Sequence, residues 1–210
     1  MGVDDRMAMT LLDLTARDLL DRFAAPDPTP GGGSAAALSG AAGAALVAMV
    51  AAMPKTRTGA PEERERLGAA LGWAREAGGR LRVLVDEDSE AYAAVVAAHR
   101  LPKGTDEEKT ARKGAIAAAL DRATEVPMDT ADACLVVLKA AQEAAAHGNA
   151  NALSDAKTGS ALAWAGLVGA AENVRINAGS QGERGATLLA KLDEVVREGL
   201  SRAQSLGLPL

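Results

Sequence analysis

Asp88 is the first residue of this chain whose type and setting could do chemistry. If the segment around it is helical, at about 100° per residue, Leu81, Leu84, Val85, Asp88, Tyr92, Val95, Val96 and His99 share one stripe. A carboxylate among apolar neighbours is paired, protonated or functional. Asp88 is therefore either a proton-transfer group or the partner of an arginine across a helix interface. Asp86 lies about 200° from Asp88 on the same helix, so Asp86-Glu87-Asp88 does not converge on one metal ion. No metal site is expected. His99 stands three residues before Pro102 and reads as a helix-end residue rather than a catalyst.

Asp155 is the second candidate. Asp155, Gly159, Leu162, Gly166, Gly169, Asn173 and Asn177 fall within about 40° of one helical line. The glycines invite the close approach of another backbone, and the asparagines need hydrogen-bond partners. Asp155 and Asn173 are 18 positions apart, about 27 Å along a helix. They cannot serve one small site from one subunit. Asp155 also sits near Asn149 and Asn151 at a helix start, where capping is the structural alternative.

The third feature is Gly31-Gly32-Gly33-Ser34, placed between a proline-rich loop and a run free of charge from Gly31 to Pro54. Exposed N–H groups at a helix start, with the helix dipole, can bind an anion. No Gly-Lys-Ser/Thr follows, so this is not a Walker-type phosphate loop. Close packing is the structural alternative. Lys55, Arg57 and Lys103 lie in two proline-bounded loops and are candidates for a cationic rim.

The elements that must position these groups all read as helices. Thr15 caps a helix from Ala16 to about Ala24, which earlier residues can extend. A buried helix runs from about Gly32 to Met53. Pro61 with Glu62 and Glu63 opens a long helix reaching His99, with Gly78-Gly79 as a possible interruption. Thr105-Asp-Glu-Glu108 is a capping box for a helix to about Thr124. Pro127 starts another, ending at His147-Gly148, where glycine can take a left-handed cap. Residues 149–154 read as a turn, followed by helices over about Asp155–Ala178 and Glu183–Gln204. No strand-like alternation appears. The expected class is all-α: one domain over 1–210, a multi-helix bundle with a long central apolar helix.

Composition narrows the function. Apolar residues make up 48% of the chain but aromatics only 2%, so alanine, leucine and valine must fill the core. A formal charge of −5 with so few aromatics argues against a nucleic-acid surface. The lone Cys134 excludes an internal disulfide framework and suits a reducing cytoplasm. The N-terminus carries Asp4 and Asp5 and lacks the basic-then-apolar order of a signal peptide. The uncharged run is long enough to span a membrane, yet it is mostly Ala and Gly with Ser34 and Ser39, so a buried helix is the preferred reading.

Three blocks then carry a resemblance: "PTPGGGSAAALSGAAGAALVAMVA", "VDEDSEAYAAVVAAHRLPK" and "GNANALSDAKTGSALAWAGLVGAAENVRIN". In this order, and over nearly the whole chain, they resemble the cyclodeaminase/cyclohydrolase family. That family comprises the C-terminal part of formiminotransferase-cyclodeaminase and the stand-alone bacterial methenyltetrahydrofolate cyclohydrolases. The resemblance implies an all-helical homodimer with a tetrahydrofolate derivative as substrate. One departure stands out. Many members carry an Asn-Leu-Thr segment and a Gly-Lys-Lys-x-Tyr loop after the apolar helix, where this chain has Met53-Pro-Lys-Thr-Arg-Thr-Gly59.

The expectation is therefore a cytoplasmic folate one-carbon enzyme, either hydrolysing 5,10-methenyltetrahydrofolate to the 10-formyl form or carrying out the related cyclodeaminase step. Asp88 is the expected acid/base group and Asp155 the second. Gly31, Gly32, Gly33, Ser34, Lys55, Arg57, Lys103, Asn149 and Asn151 are the expected substrate contacts. No metal or redox cofactor is expected, and neither a nucleic-acid nor a membrane partner. The rival is a non-catalytic helical dimer that binds folate or acts as a scaffold, which the altered 54–59 loop favours.

Overall fold

A computed structural model describes residues 10–179 and 181–208. The N-terminal reading, with Asp4 and Asp5, lies outside the described residues. Among the described residues six α-helices follow one another: α1 (Ala16–Ala24), α2 (Gly32–Ala52), α3 (Pro61–His99), α4 (Asp106–His147), α5 (Leu153–Ala178) and α6 (Gly182–Ser205). Among the described residues there is no strand, only an isolated bridge between Thr56 and Gly148. The all-α expectation holds.

The expected start signals act as such. Thr15 accepts from the Asp18 amide at 3.2 Å, Pro61 occupies the first turn of α3, and Thr105 with Glu108 forms the capping box of α4. Helix α1 is not extended backwards. Leu14 is extended (φ −69, ψ 152), separating α1 from a short 3-10 turn at Leu11–Asp13.

Three expectations about breaks fail, each for a physical reason. Gly78-Gly79 does not interrupt α3. Gly78 lies buried facing the Ala44 methyl of α2, so it serves close packing inside a continuous helix. Pro127 does not start a helix; it lies inside the 42-residue α4. Proline lacks an N–H and deprives the carbonyl four residues earlier of its helical partner. That carbonyl is Ala123 O, and Asn177 Nδ2 of α5 donates to it at 2.6 Å. Gly148 takes φ −72 and ψ 174 rather than a left-handed cap. Its surroundings explain this: the chain turns there to pair with Thr56, and the Arg57 amide donates to His147 O at 2.8 Å. The segment after it forms a 3-10 turn at Ala150–Ala152 before α5 opens at Leu153.

Helix α2 packs against α3, α4 and α5. It runs antiparallel to α5 with glycine at the contacts. An added Cβ on Gly43 would clash with Gly159 O, and one on Gly166 with Ala36 O. Alanine there would drive the helices apart, so the glycines set the separation. Leu81, Leu84, Leu138, Leu167 and Leu192 are the largest buried side chains, and alanines fill most of the remaining core. Each such leucine contributes about 1.5–3 kcal/mol of burial. By length and composition α2 could cross a membrane, and half of its apolar window is buried inside the fold. Its other face is exposed and carries no charge: Gly32, Ala35, Ala42, Ala45, Met49 and Ala52.

Candidate functional site

Asp88 and the start of α2 meet. The Ser34 hydroxyl donates to Asp88 Oδ2 at 3.1 Å and lies 3.1 Å from the Ser89 hydroxyl. A Cβ on Gly33 would overlap the Asp88 carboxylate. Gly33 is thus the residue that lets a carboxylate from α3 lie against the first turn of α2. None of the three glycines has a positive φ; those values occur at Gly59, Gly182 and Gly207. Close approach, not left-handed backbone, explains the triplet.

The arginine alternative for Asp88 does not hold. Its neighbour Glu87 is the ion-pair residue, 2.9 Å from Arg80 and 2.7 Å from Arg122. Asp88 has no cationic partner among the described residues. Burial pushes its carboxyl pKa above the usual value, and the hydroxyl and amide of Ser34 oppose that rise without cancelling it. Asp86 points elsewhere and accepts from the Leu11 amide at 2.7 Å, as the helical offset requires.

Asp88 opens into a cavity of about 310 Å³. Gly31, Gly32 and Gly33 line one side, with Pro28 of the preceding loop. Ala91, Tyr92 and Val95 of α3 continue the wall, Leu120 and Ala123 of α4 face them, and Asn173, Ile176 and Asn177 of α5 close it. The wall is mostly apolar, and Asp88 and Tyr92 are its titratable groups. A larger groove of about 500 Å³ runs between α3 and α4 at Trp73, Arg80, Asp129 and Lys139. Most of its charges are already engaged: Arg80 pairs with Asp129 at 2.8 Å, Asp132 with Lys191 at 2.7 Å, and Lys139 lies 3.9 Å from the centre of the Trp73 ring. The Asp88 cavity is therefore the better chemical site.

The other sequence candidates lie elsewhere in the chain. Helix α2 has 21 residues and so separates its two ends by about 30 Å. Lys55 and Arg57 follow its far end. The Arg57 guanidinium donates to Ala145 O and so caps the end of α4. Asn149 Oδ1 accepts from the Asn151 amide at 3.1 Å and caps the 3-10 turn. Capping therefore falls to Asn149, not to Asp155, which makes no hydrogen bond or ion pair among the described residues. Asp155 is half-buried in the first turn of α5, at the end remote from Asn173. Lys103 joins Lys109, Arg112 and Lys113 in a separate basic cluster at the start of α4. Within one chain these cations do not rim the glycines.

The stripe through Asp88 also differs from expectation at its end. Tyr92 is 45% exposed, and His99 is exposed as the last residue of α3. Tyr92, Asn173 and Asn177, not among the expected substrate contacts, also line the cavity. Their positions on the two helical stripes were the available signal. Nothing in the spacing said that the two stripes meet. Among the described residues no three His, Cys, Asp or Glu side chains form a cluster suited to a metal ion.

Comparison with known proteins gives a consistent picture. The family model of formiminotransferase-cyclodeaminase matches residues 15–191. A methenyltetrahydrofolate cyclohydrolase of Methylorubrum extorquens is 43% identical over 164 residues, covering 78% of this chain and 79% of that protein. The formimidoyltransferase-cyclodeaminase of Rattus norvegicus is 35% identical over 174 residues, and this chain spans only 32% of its length. The crystal structure of formiminotetrahydrofolate cyclodeaminase from Thermotoga maritima matches with a TM-score of 0.76, at 25% identity over 93% of both chains.

Proposed function

The chain belongs to the formiminotransferase-cyclodeaminase family, and we propose that it is a folate one-carbon enzyme that hydrolyses 5,10-methenyltetrahydrofolate to 10-formyltetrahydrofolate. The cyclohydrolase reaction is preferred because the cyclohydrolase relative is matched over most of its length. The cyclodeaminase step, closing 5-formiminotetrahydrofolate to the methenyl form with loss of ammonia, is the second reading. It is supported by the fold match to a cyclodeaminase over 93% of the chain.

One observation carries the proposal: a carboxylate without a counter-cation, its pKa raised by burial, facing a mostly apolar cavity. The methenyl bridge is a cationic N5–C–N10 unit, which an ionised Asp88 stabilises. Asp88 takes a proton from water as the water oxygen bonds to the bridge carbon. The C–N5 bond of the tetrahedral adduct then breaks as Asp88 returns its proton to N5 and the adduct's hydroxyl proton is released to solvent, leaving the formyl group on N10. A raised pKa makes the ionised carboxylate a stronger base and keeps its conjugate acid populated at a higher pH than usual. Ser34 holds the carboxylate in place. The scheme calls for no metal or redox cofactor.

The reading includes a cytoplasmic protein with one helical domain, supported by a free buried thiol at Cys134. It includes a homodimer, supported by the exposed uncharged face of α2. The test is direct: loss of the near-ultraviolet absorbance of methenyltetrahydrofolate with the wild-type chain and with Asp88→Asn. A wild-type chain that binds folate without turnover would make the scaffold reading the correct one.

A further inference from the structure

Asp88, Tyr92 and Val96 of α3 and its C-cap Arg100 follow one another at steps of four. That spacing sets them in one gently winding row on the helix surface, about 18 Å from end to end. Two cavities lie along the row. The first is the Asp88 cavity. The second, of about 260 Å³, lies between Pro28 and Thr29 on one side and Tyr92, Val96 and Arg100 on the other. Pro28 and Tyr92 line both, so the two spaces adjoin there.

The row changes character along its length. It begins at a carboxylate without a counter-cation. Its middle offers the half-exposed ring of Tyr92 and the Val96 side chain, opposite Pro28. It ends at Arg100, which is exposed and whose guanidinium makes no hydrogen bond or ion pair among the described residues. The basic cluster that follows in the chain does not share this cavity. Lys103, Lys109 and Lys113 line a separate one, and Arg112 beside them donates to His99 O at 3.0 Å. Arg100 is the cation of the second cavity.

A ligand fitted to this order has a cationic head, a flat aromatic middle and an anionic tail. In 5,10-methenyltetrahydrofolate the cationic bridge joins N5 and N10, a benzoyl ring hangs on N10, and a glutamate follows the ring. By ordinary bond lengths the glutamate carboxylates lie roughly 12 Å from the bridge carbon. Side chains of a helix lean towards its N-terminus, so the long arm of Arg100 spans the remainder of the row. We propose that Arg100 binds the glutamate carboxylates, with the benzoyl ring lying across Tyr92 between the two cavities. The guanidinium fork fits a carboxylate with paired N–H donors. This inference rests on the folate reading and adds to it the direction of the bound substrate: the pteridine in the Asp88 cavity, the arm along α3 towards its C-terminal end. Arg100 is remote from the reacting atoms. It holds ground state and transition state alike, so its loss raises KM and spares kcat.

Steady-state rates with 5,10-methenyltetrahydrofolate and with the matching methenyltetrahydropteroate, which lacks the glutamate, test this. Arg100→Ala should raise KM for the folate about tenfold, the scale of one charge-assisted pair. It should leave KM for the pteroate, and kcat for both, nearly unchanged; the pteroate rates also show that the variant is folded. Tyr92→Ala should raise KM for both substrates, because both carry the ring. Lys103→Ala should alter neither. An Arg100→Ala variant with an unchanged folate KM, or with both KM values raised equally, would overturn the proposal. So would a larger folate-selective loss in Lys103→Ala, or a Tyr92→Ala variant without effect on either substrate. A wild-type chain that turns over neither substrate would retire the enzyme reading. Calorimetric titration with 5-formyltetrahydrofolate and 5-formyltetrahydropteroate then decides Arg100 by the same selective loss of affinity or its absence, and binding of neither would retire both readings.

Discussion

Asn177 Nδ2 donates to Ala123 O at 2.6 Å, and Ala123 O is the carbonyl that Pro127 leaves without its helical partner. A break in one helix is thus closed by a side chain from another, beside the cavity that both residues line. Asn177→Ala should cost about 1–3 kcal/mol in denaturant unfolding, because a part-buried carbonyl loses its donor. Pro127→Ala restores an N–H to α4. In that background the same substitution should cost clearly less, giving a coupling measurable by a double-mutant cycle. Equal costs in both backgrounds would show that the bond does not compensate the proline.

Asp88→Asn should lower turnover by about 10²-fold or more, since the amide cannot exchange a proton. Stability should move the other way. Burial raises the folded pKa of Asp88 above its ordinary 3.8. The stabilising effect of its protonated form is complete below the unfolded value and is lost as pH rises through the folded one. Above its folded pKa the wild type therefore carries the cost of a desolvated charge, which asparagine lacks. The variant's thermal midpoint should equal or exceed that of the wild type at pH 7, and its advantage should shrink on acidification. A collapse of the midpoint at pH 7 would assign Asp88 a structural role instead.

The wild-type turnover should fall with acid as the base form of Asp88 is lost. The apparent pKa of that limb should lie above 3.8, in the direction burial dictates. A rate profile flat from pH 7 down to the unfolding limit would remove Asp88 as the base.

Gly32 and Gly33 should respond differently to the same change. An alanine Cβ at Gly32 would lie 3.9 Å from Asn173 Nδ2, an ordinary contact, whereas at Gly33 it would overlap the Asp88 carboxylate. Gly33→Ala should therefore depress turnover at least tenfold by displacing Asp88, while Gly32→Ala should keep most of the fold's stability. Steady-state rates and thermal midpoints of the two variants check this. A fully active Gly33→Ala would show that the carboxylate position is not critical.

Glu63 holds the 54–59 loop. Its carboxylate accepts from Thr56 Oγ1 at 2.6 Å and from the Thr58 and Gly59 amides at 2.9 and 3.1 Å. These bonds lower its pKa from 4.5 to about 2. A depressed folded pKa gives stability that is present above the unfolded value and lost as pH falls through the folded one. Part of the acid sensitivity of the fold between about pH 4.5 and pH 2 should therefore disappear in Glu63→Gln, as read by thermal melts across that range.

The sequence by itself determined the helices, most of their ends and the family. Those features are local: Thr15, Thr105 with Glu108, and Pro61 act on their own first turns. The helical arithmetic around Asp88 was equally local, and it separated Asp86 from Asp88 correctly. The continuity of α4 was not legible, because the group that makes Pro127 tolerable, Asn177, is 50 positions away in the chain. Nor was the reason for the glycine triplet. Gly33 is small because Asp88 lies against it, and only the packing of α3 on α2 brings them together. The tertiary structure also divided the candidates: Gly31–Gly33, Ser34 and Asp88 assemble at one end of α2, while Lys55, Arg57, Asn149, Asn151 and Asp155 gather at the other. A helix of 21 residues keeps those ends about 30 Å apart, a distance that sequence proximity conceals and antiparallel packing imposes.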